Sequence, residues 1–314
     1  MLGRTAANLF WMSRYMERAE NIARLTEVGH RVSMTPDVGS GYREEWPSAL
    51  AAAGCLDAFR VRHPKMTPAN VQDFLLFDRA NPSSIATCIE AARHNGRSVR
   101  SALTSEMWEA LNSTWIEFSA FRPADVGPGK LTELLDWVRQ HSALFRGALS
   151  GTFLRDEGFH FAELGAFIER ADNTARILDV KYSVLLPTNE AVGGERNLYQ
   201  WETILRSVSA HKSYRHVYHD RYRPHNVADF IILRREMPRS LRFCMDRVEH
   251  SAAALVEMTG GGGTSYPLAQ VAKSALCAGT MDAIFRQGLH EFLTEFLNGN
   301  AGIANAVADD FYFV

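Results

Sequence analysis

The chain lacks most of what marks a secreted, membrane or nucleic-acid-binding protein. It holds only four cysteines, Cys55, Cys88, Cys244 and Cys277, and no CxxC pair. That excludes a disulfide framework of paired spacings and leaves free thiols in a reducing cytoplasm as the expectation. No stretch approaches eighteen uninterrupted apolar residues, so no bilayer-spanning helix is expected. The opening, MLGRTAANLFWMSRYMERAE, is broken by Arg4, Arg14, Glu17 and Arg18 before an apolar run of secretory length develops, which points to a cytoplasmic location. Neither charge sign dominates: 34 Lys and Arg against 36 Asp and Glu give a formal −2. There is thus no electrostatic basis for binding nucleic acid or an anionic membrane.

Catalytic signatures are equally scarce. No serine or cysteine sits in a GxSxG context. The run Gly260-Gly261-Gly262-Gly263 lacks the Gly-Lys-Ser/Thr and the preceding strand of a phosphate loop, and it is expected to be a connector. His216 and His219 stand three apart in the basic, aromatic segment from His211 to His225, without the glutamate of HExxH. No metal and no cofactor is expected.

What the chain does have is a repeat. Met16-Glu17-Arg18-Ala19-Glu20-Asn21-Ile22-Ala23-Arg24 returns as Ile168-Glu169-Arg170-Ala171-Asp172-Asn173-Thr174-Ala175-Arg176, 152 residues later. Asn70 to Leu76 (NVQDFLL) returns as Asn226 to Ile232 (NVADFII), followed by the matches Arg79/Arg235, Pro82/Pro238, Ser84/Ser240 and Cys88/Cys244. Trp46 and Leu50 match Trp201 and Leu205, and Phe159-His160-Phe161 matches Phe311-Tyr312-Phe313. Two copies of one unit are expected, a first helical repeat over 1–160 and a second over 161–314. Two long copies do not make a solenoid, so they should pack as one integrated unit about a pseudo-twofold axis.

Within each copy the pattern is helical. Leu9, Met12, Tyr15, Met16, Ala19, Ile22 and Ala23 recur at three- and four-residue spacing. Further helices are expected around 71–78, 83–95, 130–148, 161–182, 198–215, 227–235, 239–257, 266–278 and 281–298. Loops are expected at 31–43, 123–129, 186–195 and 258–265, and Pro82 and Pro238 suit the first turn of a helix. No convincing alternating strand appears. The expected class is all-α, two pseudo-symmetric helical repeats packed into one bundle-like unit.

On the first helix Glu17, Asn21 and Arg24 fall within one narrow stripe, flanked by Arg18 and Glu20. The second copy presents Glu169, Arg170, Asp172, Asn173 and Arg176. Between the copies the apolar side drifts (Met12/Leu164, Tyr15/Phe167, Met16/Ile168, Ile22/Thr174), while the polar side is kept. A solvated face tolerates most substitutions within about 0.5 kcal/mol and should drift more than the core. Two arrangements explain the reverse. The helices meet and cross-pair Glu with Arg, where losing one partner costs roughly 3–5 kcal/mol. Alternatively the same groups line a cleft and grip a ligand carrying an amine and a carboxylate or phosphate. Ion-pair networks imitate sites, so both stay open. Asn70 with Asp73, and Asn226 with Asp229, have capping-box spacing. Asp73, Arg79, Asp229 and Arg235 are secondary candidates for the same polar centre.

These motifs carry a resemblance. The opening MLGRTAANLFWMSRYMERAENIAR, the segments NVQDFLLFDRANPSS and NVADFIILRREMPRS, and the FYF near the end resemble the bacterial Alpha-E family, helical proteins named for a Glu-Arg motif. The resemblance spans essentially the whole chain and assigns that motif to Glu17 and Arg18, with Glu169 and Arg170 following by the internal match. It implies association with circularly permuted ATP-grasp proteins, often near transglutaminase-like peptidases, and a role in ATP-dependent peptide synthesis or tagging. On that basis the chain is expected to be a non-catalytic helical partner of an ATP-grasp ligase, binding substrate or partner at the Glu/Arg/Asn centre. The alternatives are an enzyme doing acid–base or transfer chemistry on a small amino-acid or peptide substrate, and a purely structural protein. Homo-oligomerisation is left open.

Overall fold

The apolar repeat that begins at Leu9 runs on as one long helix, α1 (Gly3–Ser33). The computed structural model describes residues 1–33, 45–185, 195–219, 222–261 and 263–313. After α1 come α2 (Glu45–Ala52), α3 (Leu56–Arg62), α4 (Pro68–Leu76), α5 (Ile85–Ser98), α6 (Ser105–Phe118) and α7 (Pro128–Thr152). A second long helix, α8 (Glu157–Leu185), then precedes α9 (Glu195–Ser207), α10 (His211–Tyr218), α11 (Pro224–Ile232), α12 (Leu241–Thr259), α13 (Ser265–Ala278), α14 (Met281–Gln287) and α15 (Leu289–Asp310). The fold is all-α, with no strand among the described residues. Among these residues no helix is long and apolar enough to cross a membrane.

Several elements differ from the periodicity. The helix expected over 198–215 breaks into α9 and α10 at Ser209, whose φ of 55° no periodicity announces. The run over 281–298 breaks at Gly288, where φ is 104°. α2, α3 and α6 add helix where none was expected; α6 buries Met107, Ala110, Leu111, Thr114 and Phe118 on one face, with a threonine interrupting the apolar stripe. The expected loop at 123–129 holds a single 3-10 turn, Pro123–Asp125, before Pro128 opens α7. At 258–265, Gly260 caps α12 at φ 66°. The loops expected at 31–43 and 186–195 fall mainly on 34–44 and 186–194, outside the described residues.

Helix starts correct two further expectations. Pro82 and Pro238 lie in the turns before α5 and α12 rather than in their first turns. The hydroxyls of Ser84 and Ser240 cap those helices, accepting from the backbone N–H groups of Thr87 (3.2 Å) and Phe243 (3.0 Å). Asn70 and Asp73 do not form a capping box. Pro68 and Pro224 fix the starts of α4 and α11 earlier, with Thr67 capping α4 by accepting from Asn70 N at 3.2 Å. Asn70, Asp73, Asn226 and Asp229 therefore lie inside the helices.

α1 and α8 lie side by side and run in the same direction. The amino group of Met1 meets Glu157, Phe10 meets Gly165, and Leu25 and Ile177 line one cavity. At the crossing the backbones nearly touch: a Cβ at Gly165 would lie 2.1 Å from the Phe10 carbonyl oxygen. One apolar cluster joins Leu9, Phe10 and Met12 of α1 to Leu164 and Ile168 of α8, and on to Trp201, Phe230, Leu255 and Val307. A second, built on Ile22, Trp46, Phe74, Ile89 and Leu135, draws its buried members, among the described residues, from 19–138. Near the end of the chain Phe311 and Phe313 pack on Phe161, at ring-centroid distances of 4.8 and 6.0 Å.

Candidate functional site

Because α1 and α8 are parallel neighbours, their polar stripes face one another and exchange partners. Arg170 of α8 grips Glu17 of α1 with two bonds, Nε to Oε1 at 3.0 Å and Nη2 to Oε2 at 2.8 Å. Arg18 of α1 grips Glu169 of α8 the same way, Nε to Oε1 at 2.6 Å and Nη2 to Oε2 at 2.9 Å. Glu17 and Glu169 are each only 2% exposed, so this is no solvated face. Glu20, Asn21, Arg24, Arg170 and Asn173 are buried with them, and the Asn173 amide nitrogen finds no hydrogen-bond partner. Asp172 and Arg176 form a pair within α8, at 2.7 and 3.2 Å, nearer the surface.

The two ends of the seam differ. At the Glu169 end a third group joins: Arg14 Nε donates to Oε2 at 2.9 Å. At the Glu17 end the crowd is larger. Glu20 Oε1 accepts from Arg24 Nε (3.0 Å), Arg24 Nη2 (2.6 Å) and Arg239 Nη2 (2.7 Å), and Arg239 Nη1 meets Glu17 Oε1 at 2.9 Å. Arg146 of α7 pairs with Glu20 and lies 3.5 Å from Glu17. Leftover donors turn to neutral acceptors: Arg24 Nη1 donates to the Ser209 hydroxyl at 2.5 Å, and Arg170 Nη1 to the Pro238 carbonyl at 3.4 Å.

The charges set the ionisation. Burial alone would raise Glu17, but Arg170, Arg239 and Arg146 outweigh it and hold its carboxyl well below the usual range. Glu169 is lowered in the same way against its burial, by Arg18 and Arg14. Glu20 is lowered too, although burial and the neighbouring Glu17 both oppose it. Arg18 and Arg170 are raised by the carboxylates they grip. Arg24 is the exception, lowered by burial and by the charge of Arg239. Burial pushes the thiols of Cys88 and Cys244, beside the two pairs, up to about 12. They stay protonated and unreactive at neutral pH.

Locked carboxylates of this kind cannot shuttle protons near neutrality, whereas guanidinium forks can hold a further oxyanion. Among the described residues no group of three His, Cys, Asp or Glu side chains is placed to hold a metal ion.

The secondary candidates do not join the centre. α4 turns Val71, Phe74 and Leu75 inward and leaves Asp73 exposed. Arg79, in the turn after α4, pairs with Glu90 at the surface. Arg235 is exposed, 3.8 Å from Asp246, and Asp229 accepts from the Tyr218 hydroxyl at 2.5 Å. Three residues that the repeat did not single out do join: Arg14, Arg146 and Arg239. Arg14 had a signal, standing one turn before Arg18. Arg239 had the opposite of one, because the matching position, Ser83, holds no charge.

Fold and seam together define an all-helical protein organised around a buried Glu–Arg exchange between two parallel helices. The chain belongs to the Alpha-E family, whose model, described as a predicted alpha-helical domain with a conserved ER motif, matches residues 1–312. It is similar to an uncharacterized protein of Mycobacterium bovis, and to others of Mycobacterium tuberculosis, at 25% identity over 287 residues. The match covers 84% of this chain and 31% of each relative, so the chain spans about a third of their length. No solved structure matches.

Proposed function

We infer that the chain is a non-catalytic helical partner in an ATP-dependent peptide-ligating system, with a circularly permuted ATP-grasp protein supplying the chemistry. The α1–α8 seam is the part that recognises substrate or partner. The observation that carries the non-catalytic role is the saturation of Glu17, Glu20 and Glu169 by guanidinium groups, which holds all three below the ordinary carboxylate range. A general acid or base needs a value near the working pH. The ATP-grasp protein, and a transglutaminase-like peptidase as a second candidate, come from the family resemblance. The greater length of the mycobacterial relatives is compatible with a fused partner.

The test is co-expression with a circularly permuted ATP-grasp protein from the same organism. The two should co-purify, and the ligase should turn over faster with this chain than alone. Separate elution together with unchanged turnover sinks the proposal.

A second function is favoured by the two-bond grip at both pairs: the seam is purely structural, a charged lock joining α1 to α8. In that case seam variants that stay folded bind any partner as the wild type does.

A further inference from the structure

The charges at the Glu17 end do not balance. Four guanidiniums, those of Arg24, Arg146, Arg170 and Arg239, meet two carboxylates, Glu17 and Glu20. Arg24, Arg170 and Arg239 are buried with the acids, so one positive charge is left over out of water and a second, that of Arg146, stands at the edge. Such charges are expensive unless something pairs them.

Acceptors are also too few for the donors. Glu20 Oε1 alone receives three N–H groups, and Arg24 and Arg170 each spend a donor on a neutral oxygen. The lowering of Arg24 by burial and by Arg239 is the same repulsion seen from one member. The Glu169 end is better matched, with Arg14 and Arg18 on one carboxylate and Asp172 paired to Arg176.

One residue connects this centre to water. Arg146 reaches in from α7 with its side chain 33% exposed, and the contacts with Glu17 and Glu20 use only Nη1. A guanidinium has five donors, so the rest of its fork is left for a ligand arriving from solvent.

We propose that Arg146, with Arg24 and Arg239 behind it, forms a subsite for an oxyanion, a phosphate group or the free carboxylate of an amino acid or peptide. Guanidinium forks match both shapes by paired hydrogen bonds. The subsite deepens the recognition role assigned to the seam and rests on it, but it requires no second protein. Anion binding without co-purification would therefore overturn the ATP-grasp partnership alone, and co-purification without anion binding would overturn the subsite alone.

The experiment is calorimetric titration of the isolated chain at constant ionic strength. The probes are inorganic phosphate, a short peptide with a free C-terminal carboxylate, and the same peptide amidated. Saturable binding of phosphate only assigns the subsite to phosphate, and binding of the free-acid peptide but not the amide assigns it to carboxylate. Arg146→Gln should weaken whichever probe binds at least tenfold, while Arg97→Gln, an exposed arginine on α5, leaves it unchanged. Should Arg146→Gln not fold, Arg146→Lys, which keeps the charge and loses the fork, should weaken binding severalfold. No saturable binding of phosphate or free-acid peptide overturns the proposal, as does acid and amide binding equally without phosphate, or an Arg146 variant that binds like wild type.

Discussion

At the scale of single residues, Glu17 and Glu169 are tightly constrained side chains, each only 2% exposed. Each is buried and charged: Glu169 is gripped by Arg14 and Arg18 of α1, and Glu17 by Arg170 of α8 and by Arg239. Glu17→Gln leaves Arg170 and Arg239 facing a neutral amide in a buried site, a loss of roughly 3–5 kcal/mol. Urea unfolding should show that drop for Glu17→Gln and Glu169→Gln alike. Asp172→Asn, in an i,i+4 pair nearer water, should cost no more than about 0.5 kcal/mol. Similar stabilities for all three variants would contradict the buried exchange. Helical spacing was enough to place Glu17, Asn21 and Arg24 on one stripe, because 100° per residue needs no tertiary information. Arg146 and Arg239 were not legible. They arrive from α7 and from the turn before α12, and only the packed chain brings them to Glu17 and Glu20.

At the scale of elements, the seam depends on how closely two backbones approach. Gly165 is the residue that permits it, since any Cβ there would meet the backbone of Phe10, which cannot rotate away. Gly165→Ala should therefore destabilise by about 1–3 kcal/mol through overpacking, more if the pairs beyond it are pulled apart. Thermal unfolding beside Gly147→Ala, where a Cβ meets nothing within 4 Å, checks the effect. An unchanged melting temperature for Gly165→Ala would show that the helices can separate without loss. Element type was widely legible from apolar spacing, and the ends were not. The break at Ser209 requires a left-handed serine, whose hydroxyl accepts from Arg24. That contact is tertiary and leaves no mark on local spacing. Gly288 did stand in the sequence, but the apolar period continues across it and conceals the kink.

At the scale of the whole molecule, the depressed carboxylates make stability depend on acid. Glu17, Glu20 and Glu169 have folded values below their unfolded ones. Their contribution is complete above the unfolded glutamate value of about 4.3 and is lost as pH falls below it, at up to about 1.4 kcal/mol per pH unit for each. Burial lowers His141, His160 and His211, which adds a shallower loss below about pH 6.5, partly offset by His290, raised by its bond to Asp179. Urea titrations from pH 8 to pH 3 should show the steep fall only at the acid end; a stability independent of pH down to 3 would contradict the assignment. The same network also bears on the order of folding. The apolar cluster drawn from residues 19–138 is encoded in the first half of the chain, while Glu17 waits for Arg170 and Arg239, encoded more than 150 residues later. A chain emerging from the ribosome therefore carries two acids in its first helix, set beside a forming core, before two of their four basic partners exist. Arg24 and Arg146 are the only members of the Glu17 end made early enough to hold those acids until the second long helix arrives.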